Sequence, residues 1–283
     1  MTCLITGATG NIGTLVAERL IARGERPRVF VRDAAKAQER FGDKVEIFIG
    51  DLADAGTLTP ALRGADALFL LNSGHDLAAR DAIAAHAAKA ANVKHLVKLS
   101  SYDAREENVG TGVWHAQGEA AIRASGITFT FIQPTGFMVN ALWWARSIQC
   151  EGVVRSSTGD GKIPFIHSVD IADVAIEALT SPEHIGQSLA ITGPEALSYS
   201  EMTAKIAGAT GKPLRFETIS DDDARLQQVA WAAPPPLVEA RLSIFRAIRE
   251  GRLAAVTDTV ARVLGRNPIS FDQWARENAA AFQ

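Results

Sequence analysis

The chain has 283 residues, 47% of them hydrophobic, and a formal net charge of -3. This balance, without a basic stripe, gives no electrostatic support for nucleic-acid binding, and no apolar run approaches the ~20 residues of a membrane-spanning helix. At roughly 150 residues per domain, the length allows one or two domains with a substantial core.

The cysteines and histidines show no pattern typical of a metal site. Cys3 and Cys150 have neither disulfide-framework nor zinc spacing, and the six histidines are scattered. We therefore expect no metal and a cytoplasmic location, where thiols stay reduced. The first apolar run begins almost at Met1, so we expect no signal peptide.

The chain opens with an apolar run at residues 3–6, a G-x-x-G-x-x-G turn and a helical pattern over residues 14–23. Gly7 allows a tight turn, Gly10 leaves the backbone open to a pyrophosphate, and Gly13 lets the helix pack close to the strand. The helix N-terminus offers N–H groups and a partial positive charge to phosphates. The pattern predicts a dinucleotide-binding turn formed by Gly7, Thr9, Gly10, Asn11, Ile12 and Gly13.

Apolar runs then alternate with helix-forming segments. Strands are predicted at 28–31, 45–49, 68–71, 96–99 and 129–132, and helices at 34–41, 57–62, 77–91 and 113–124. Strands rich in Ile, Val, Leu and Phe without strict alternation are typical of a parallel sheet covered on both faces. The β–α alternation predicts a Rossmann-type, doubly wound α/β fold, which binds ligands at the carboxyl ends of its strands.

The second half is less regular and more helical. Helices are predicted at 170–180, 200–207, 221–229, 237–249, 258–264 and 272–281, and a strand at 188–192. Asp170 is a candidate helix cap, and either Ser198 or Ser200 is the next one. We expect an NAD(P)-binding core at residues 1–150 and a smaller, mainly helical substrate lobe at 151–283, with the strand near 187–192 returning to the core.

Charged residues after the second predicted strand indicate which cofactor the protein binds. Arg32 follows this strand directly, where NADP-binding proteins place a cation, and Lys36 adds a second charge four residues later. Asp33 lies one position later than the acid of an NAD site and is placed to cap the next helix. The pattern favours NADP(H), with NAD(H) as the alternative.

Polar residues after the third and fourth strands complete the predicted cofactor site. Asp51, followed by Leu52, is placed to accept a hydrogen bond from the adenine amino group, although an ordinary turn aspartate fits the pattern equally well. Asn72 and Ser73 follow the fourth strand, where small polar residues let the cofactor backbone pass.

The Tyr-x-x-x-Lys dyad of short-chain dehydrogenases is missing, since neither Tyr102 nor Tyr199 has a lysine four residues later. The corresponding helix instead carries His115 and Glu119, which the i, i+4 spacing places on one face. The carboxylate could orient the imidazole there, or the two could form an ordinary surface pair.

Several segments together resemble the NmrA-like atypical short-chain dehydrogenases, and in particular bacterial NADPH quinone reductases and triphenylmethane dye reductases. They are residues 7–13, 31–37, 50–51, 125–134, 159–162 and 169–175. The likeness runs over roughly residues 1–220. One departure is Gln133, where this family often has arginine before the proline.

The resemblance implies positions around the nicotinamide and the substrate. Pro134, with Thr135 and Gly136, would lie beside the nicotinamide, and Ser100, Ser101 and Tyr102 would face the substrate. An apolar pocket would be walled by Phe137, Met138, Asn140, Trp143 and Trp144, although ordinary core packing explains each of these equally well. Adjacent tryptophans on a helix point to different sides, so we expect one of them at a pocket or an interface.

These observations predict an oxidoreductase that transfers hydride from NADPH to an electrophilic, flat, apolar small molecule such as a quinone, an iminium ion or a dye. Such acceptors need alignment more than acid–base help, which fits the missing dyad. If a proton is required, His115 is the first candidate donor and Tyr102 the second. The alternative is a catalytically silent NADP(H)-binding redox sensor; a tailoring reductase or isomerase is a weaker third reading. A homodimer is compatible with the sequence.

Overall fold

The computed structural model describes residues 1–106 and 108–283. The chain divides into two compact units. The first comprises Met1–Ala104, Trp114–Gln133 and Ile171–Leu189, and the second comprises Arg105–Val113, Pro134–Asp170 and Ala190–Gln283.

A seven-stranded sheet dominates the first unit. Its strands are β1 (Cys3–Thr6), β2 (Arg28–Val31), β3 (Glu46–Ile49), β4 (Ala67–Leu70), β5 (His95–Leu99), β6 (Phe129–Pro134) and β9 (Ser188–Ile191). The spatial order is β3-β2-β1-β4-β5-β6-β9, and the neighbours from β3 to β6 pair in parallel. This is the doubly wound order, which reverses between β1 and β4. The predicted Rossmann-type fold is confirmed.

Helices follow the strands of this sheet. They are α1 (Asn11–Ala22), α2 (Ala34–Phe41), α3 (Ala55–Leu62), α4 (Leu77–Ala90), α5 (Gly112–Ala124) and α7 (Ser168–Thr180). Strands β1, β4 and β5 are buried along their whole length, because helices leave little of their side chains exposed. Leu4, Leu68 and Leu96 from these strands share one core cluster with Leu58 of α3 and Ala84 of α4.

The second unit is mainly helical. Its helices are α6 (Ala145–Glu151), α8 (Tyr199–Thr210), α9 (Asp221–Ala230), α10 (Pro235–Arg249), α11 (Thr259–Leu264) and α12 (Phe271–Glu277). Two small sheets pair β7 (Val153–Ser156) with β11 (Arg215–Thr218), and β8 (Lys162–Ile163) with β10 (Leu197–Ser198). Sequence analysis missed these short strands. None of the helices in the described ranges combines the length and apolarity that crossing a membrane requires.

The helix caps test three sequence predictions. Asp33 caps α2 by accepting hydrogen bonds from the next turn, as predicted. Ser198 caps α8 in a reciprocal capping box with Glu201. The prediction of a cap at Asp170 is wrong, because α7 begins two residues earlier. The Asp170 carboxylate instead accepts hydrogen bonds from Arg266 Nη1 at 2.6 Å and the Ile269 N–H at 2.8 Å.

Candidate functional site

The glycine turn after β1 depends on the absence of side chains at two positions. Gly7 has φ +63°, and a Cβ there would lie 2.7 Å from Leu71 Cδ2. A Cβ on Gly13 would overlap the Gly7 carbonyl oxygen, so α1 packs directly against the turn. A Cβ on Gly10 would meet only that same oxygen, at 3.3 Å, which leaves its outer side open.

The first turn of α1 is free to receive an anion. Its N-cap is Gly10, and no side chain caps the helix. Thr9, Gly10 and Asn11 are exposed, whereas the Ile12 side chain is buried in the core. Helix-terminal N–H groups without partners attract phosphates through hydrogen bonds and the helix dipole. The turn therefore has the chemistry of a pyrophosphate cradle.

A cavity of about 160 Å³ opens at the carboxyl ends of β1 to β4. It brings together seven of the predicted cofactor residues. Of the predicted set it contains Gly7, Thr9, Arg32, Asp51, Leu52, Asn72 and Ser73. It also contains Thr6, Phe30, Val31, Gly50, Leu71 and Arg80, which sequence analysis did not assign. The remaining predicted positions are not among its lining residues; they are Gly10, Asn11, Ile12, Gly13, Lys36, Ser100 and Pro134.

Thr6 fixes the floor of this cavity. Its hydroxyl donates to the Leu71 carbonyl oxygen and accepts from the Leu71 N–H, both at 2.8 Å. The two bonds tie the end of β1 to the end of β4, where the strand order reverses. Only the parallel register of the two strands reveals this contact, so a local sequence pattern does not signal it.

Two arginines give the cavity its charge. Arg32 is exposed and forms no ion pair or hydrogen bond within residues 1–106 and 108–283. Arg80 contacts Asp76 at 2.8 Å, and its buried Nε has no partner in the described chain. Lys36 is exposed, with its Nζ 3.9 Å from Asp33 Oδ2. Unpaired guanidinium donors beside a glycine turn fit a phosphate-bearing dinucleotide.

Asp51 occupies the position predicted for adenine recognition and also has the turn role considered as its alternative. Its Oδ1 accepts a hydrogen bond from the Ala53 N–H at 2.9 Å. The Thr57 hydroxyl lies 3.3 Å from the Asp51 backbone nitrogen. The carboxylate is thereby held at the cavity edge, and its adenine contact stays a prediction.

Asn72 is anchored to a buried ion pair beneath the cavity. Its Nδ2 donates to the Leu77 carbonyl at 3.1 Å and to Asp81 Oδ1 at 3.2 Å. Asp81 Oδ2 lies 2.5 Å from Lys98 Nζ, and both side chains are completely buried. Burial raises the pKa of the Asp81 carboxyl, while the Lys98 ammonium opposes that shift. The loop after β4 is therefore fixed by charges inside the first unit.

The interaction predicted between His115 and Glu119 is wrong. The Glu119 Oε1 accepts from Ser100 Oγ at 2.6 Å and from Gln133 Nε2 at 2.8 Å, and Arg123 contacts its other oxygen at 3.2 Å. His115 Nδ1 is buried and has no hydrogen-bond partner in the described chain. Both residues do lie on α5, but the Glu119 carboxylate is occupied by Ser100 directly after β5, by Gln133 of β6 and by Arg123 of α5 itself.

The environment of His115 keeps its imidazole neutral. Burial, and to a smaller extent the Lys98 ammonium, hold the pKa of His115 well below its ordinary value. A neutral imidazole can donate a hydrogen bond but carries no extra proton at neutral pH. The proton-donor roles of His115 and of the half-buried Tyr102 stay predictions.

The predicted substrate residues in the second unit differ in exposure. Met138 and Trp144 are buried, and the Trp144 ring lies 4.9 Å from that of Tyr199. Trp143 is 49% exposed, which confirms that the two tryptophans face different surroundings. Both belong to a 3₁₀ segment, Met138–Trp144, rather than an α-helix. Pro134 is buried at the end of β6, and Phe137 is half-buried.

No group of three or more His, Cys, Asp or Glu side chains in the described ranges has the arrangement of a metal site. The sheet order, the glycine turn and the arginine-lined cavity together define a dinucleotide-binding protein of the Rossmann class. Residues 7–182 match the model of a family described as NAD(P)H-binding. The chain belongs to this family, and the predicted relationship is confirmed.

Known relatives are similar along nearly the whole chain. The chain is 40% identical to a (4-alkanoyl-5-oxo-2,5-dihydrofuran-3-yl)methyl phosphate reductase of Streptomyces griseus, covering 99% of this chain and 98% of the relative. It is 36% identical to an NAD(P)H azoreductase of Xenophilus azovorans, with the same coverage.

Solved structures share the fold. The Escherichia coli NADPH-dependent quinone oxidoreductase, solved in complex with NADPH, has a TM-score of 0.89 at 25% identity and covers 97% of this chain and 99% of its own. A Citrobacter triphenylmethane reductase has a TM-score of 0.88 at 22% identity, with 99% of each chain covered. The second likeness concerns the fold alone.

Proposed function

We propose that this protein is an NAD(P)H-dependent reductase that prefers NADPH and reduces a flat, electrophilic small molecule. The observation that carries the proposal is Arg32, a cation that has no partner among the described residues and lies in the cavity at the carboxyl end of β2. Relatives are named for an azo compound, a quinone and an alkanoyl-oxo-dihydrofuranyl methyl phosphate. Azo, quinone and unsaturated carbonyl groups are planar electrophiles, and we extend this class to the present chain.

The nicotinamide cofactor supplies the hydride. In this proposal the first turn of α1 would hold the pyrophosphate, Arg32 would hold the 2′-phosphate with Lys36 nearby, and Asp51 would accept a hydrogen bond from the adenine. Ser100 and Pro134 each stay a predicted contact of the cofactor. An electrophilic acceptor gains most of its rate from alignment, so the neutral His115 serves as a hydrogen-bond donor rather than as a charged acid.

The test combines cofactor titration with turnover. Arg32→Gln should raise the KM for NADPH about 10-fold or more, the loss expected for one charge-assisted hydrogen bond, and leave the KM for NADH unchanged. Arg26→Gln is the control, because it removes an equally exposed arginine outside the cavity. Equal losses for both cofactors would refute the preference.

Turnover separates the reductase from a silent sensor. We expect NADPH oxidation at 340 nm with at least one quinone or azo acceptor. Tight NADPH binding without oxidation by either class would replace the reductase with a redox sensor, and absence of binding would refute both.

We also propose a cytoplasmic enzyme that binds no nucleic acid. Cys3 is buried, Cys150 is exposed and both are free, which supports a reducing compartment. A homodimer is supported by exposed apolar side chains of the second unit, Leu226, Val229 and Trp231. Light scattering on the purified chain tests it.

A further inference from the structure

Arginines on and directly after α10 have carboxylate partners, with one exception in the described chain. Arg246 and Arg249 both reach Asp221, at 3.6 and 2.9 Å. Arg252 contacts Glu106 at 3.3 Å. Arg241 lies on the same helix but forms no ion pair with any described residue.

The surroundings of Arg241 withdraw its charge from water without neutralising it. The guanidinium carbon lies 4.5 Å from the centroid of the Trp143 ring, and Nη1 donates to Gln228 Oε1 at 2.8 Å. Gln228 is 1% exposed, so this tether is itself buried. Burial lowers the pKa of Arg241, and no carboxylate opposes that shift. A cation–π contact and one neutral hydrogen bond compensate only part of the desolvation of a cation.

The geometry leaves most of the guanidinium donors free. The guanidinium carbon lies over the Trp143 ring, and the group carries five N–H donors in its plane. Gln228 accepts one of them. The remaining fork matches two oxygens of a phosphate, sulfonate or carboxylate. Trp143, 49% exposed, keeps aromatic surface available beside this fork.

We propose that Arg241 binds an anionic group carried by the acceptor, while the flat part of the acceptor lies against Trp143. The acceptor class is thereby a planar electrophile bearing a phosphate, sulfonate or carboxylate. This inference rests on the proposed reductase function.

The experiment compares 1,4-naphthoquinone with 1,4-naphthoquinone-2-sulfonate as acceptors for NADPH oxidation. Arg241→Met should lower kcat/KM for the sulfonate about 10-fold or more relative to the parent protein, and for the neutral quinone less than 2-fold. Arg241→Lys keeps the charge but loses the planar pair of N–H donors. Its kcat/KM for the sulfonate should therefore lie between those of the parent and Arg241→Met proteins. Arg262→Met, which removes an exposed arginine of α11, controls for the change in net charge.

Equal losses of kcat/KM for both quinones would show that Arg241 has only a structural role and would overturn the proposal. An unchanged kcat/KM for both would also overturn it. Quenching of tryptophan fluorescence by phenyl phosphate, with phenol as the neutral control, needs no turnover. If the parent protein oxidises NADPH with neither quinone nor with an azo acceptor, the reductase function is refuted, and phenyl phosphate binding that depends on Arg241 still supports the anion site. Equal affinities for phenyl phosphate in the parent and Arg241→Met proteins would overturn it.

Discussion

Removing one member of the buried Lys98–Asp81 pair should destabilise the protein far more than removing both. The variants are Lys98→Met, Asp81→Asn and the double variant; the asparagine keeps an oxygen for the bond from Asn72. At 2.5 Å the pair attracts with about 7 kcal/mol for an effective dielectric constant of about 20. The desolvation of two buried ions, several kcal/mol each, offsets most of this.

A single substitution leaves an unpaired charge in a site with no exposed surface. We therefore expect each single variant to lose about 3–5 kcal/mol of unfolding free energy, and the double variant to recover most of the loss. Urea unfolding followed by tryptophan fluorescence measures all four proteins. A Lys98→Met protein as stable as the parent, or a double variant as unstable as the sum of the two, would refute the reasoning.

Three further predictions concern other parts of the chain. The pH profile of kcat should show no titration of His115 between pH 6 and 8, and Lys98→Met should raise the His115 pKa, measured by NMR, because one of its two depressing causes is removed. Gly13→Ala should cost about 1–3 kcal/mol in thermal unfolding, since its Cβ would overlap the turn carbonyl, and should weaken NADPH binding. Asp221→Asn should cost about 1–2 kcal/mol at pH 7 after allowance for solvent screening, because its arginine partners lower the Asp221 pKa to about 2. That stabilisation is complete above the unfolded pKa of about 4 and is lost as pH falls toward 2, so the parent and variant should converge there.

The glycine and aspartate predictions each have a control variant with the same type of substitution. Gly208→Ala places a methyl group in open space within α8 and should not destabilise the protein. Asp222→Asn removes a neighbouring exposed charge from the same helix turn and should leave acid unfolding unchanged. A pH-independent loss in Asp221→Asn would show that the ion pair is not its cause, and an unshifted His115 pKa in Lys98→Met would remove the Coulombic explanation.

Local sequence was sufficient to predict those cavity residues that lie at the ends of strands. The bounds of β2 and α2 agree with the sequence prediction, and Arg32, Asp51 and Asn72 all line the cavity, because parallel strands deliver their carboxyl ends to one edge. The sequence analysis missed Arg80 because this residue lies on helix α4 rather than at the end of a strand. In the sequence alone it cannot be told from an ordinary surface arginine.

Contacts that depend on how the strands align in the sheet could not be predicted from the sequence. Spacing placed Glu119 on the same helical face as His115, but Ser100 and Gln133, which occupy its carboxylate, come from neighbouring strands. Strands β7 and β11 were missed because each has four residues and charged positions, which gives a weak alternation signal.

The cap formed by Asp33 links cofactor choice to helix stability. Its carboxylate already accepts hydrogen bonds from the backbone of α2, one residue after Arg32, the cation that we propose binds the 2′-phosphate. If another substitution caused the Asp33 side chain to turn toward a ribose hydroxyl, α2 would lose its cap, and the free energy of unfolding would fall by roughly 1 kcal/mol. If the proposed NADPH preference holds, an evolutionary route to NADH preference has to supply a new ribose acceptor while keeping Asp33. Changing Arg32 alone would then weaken the binding of NADPH without creating a site for NADH.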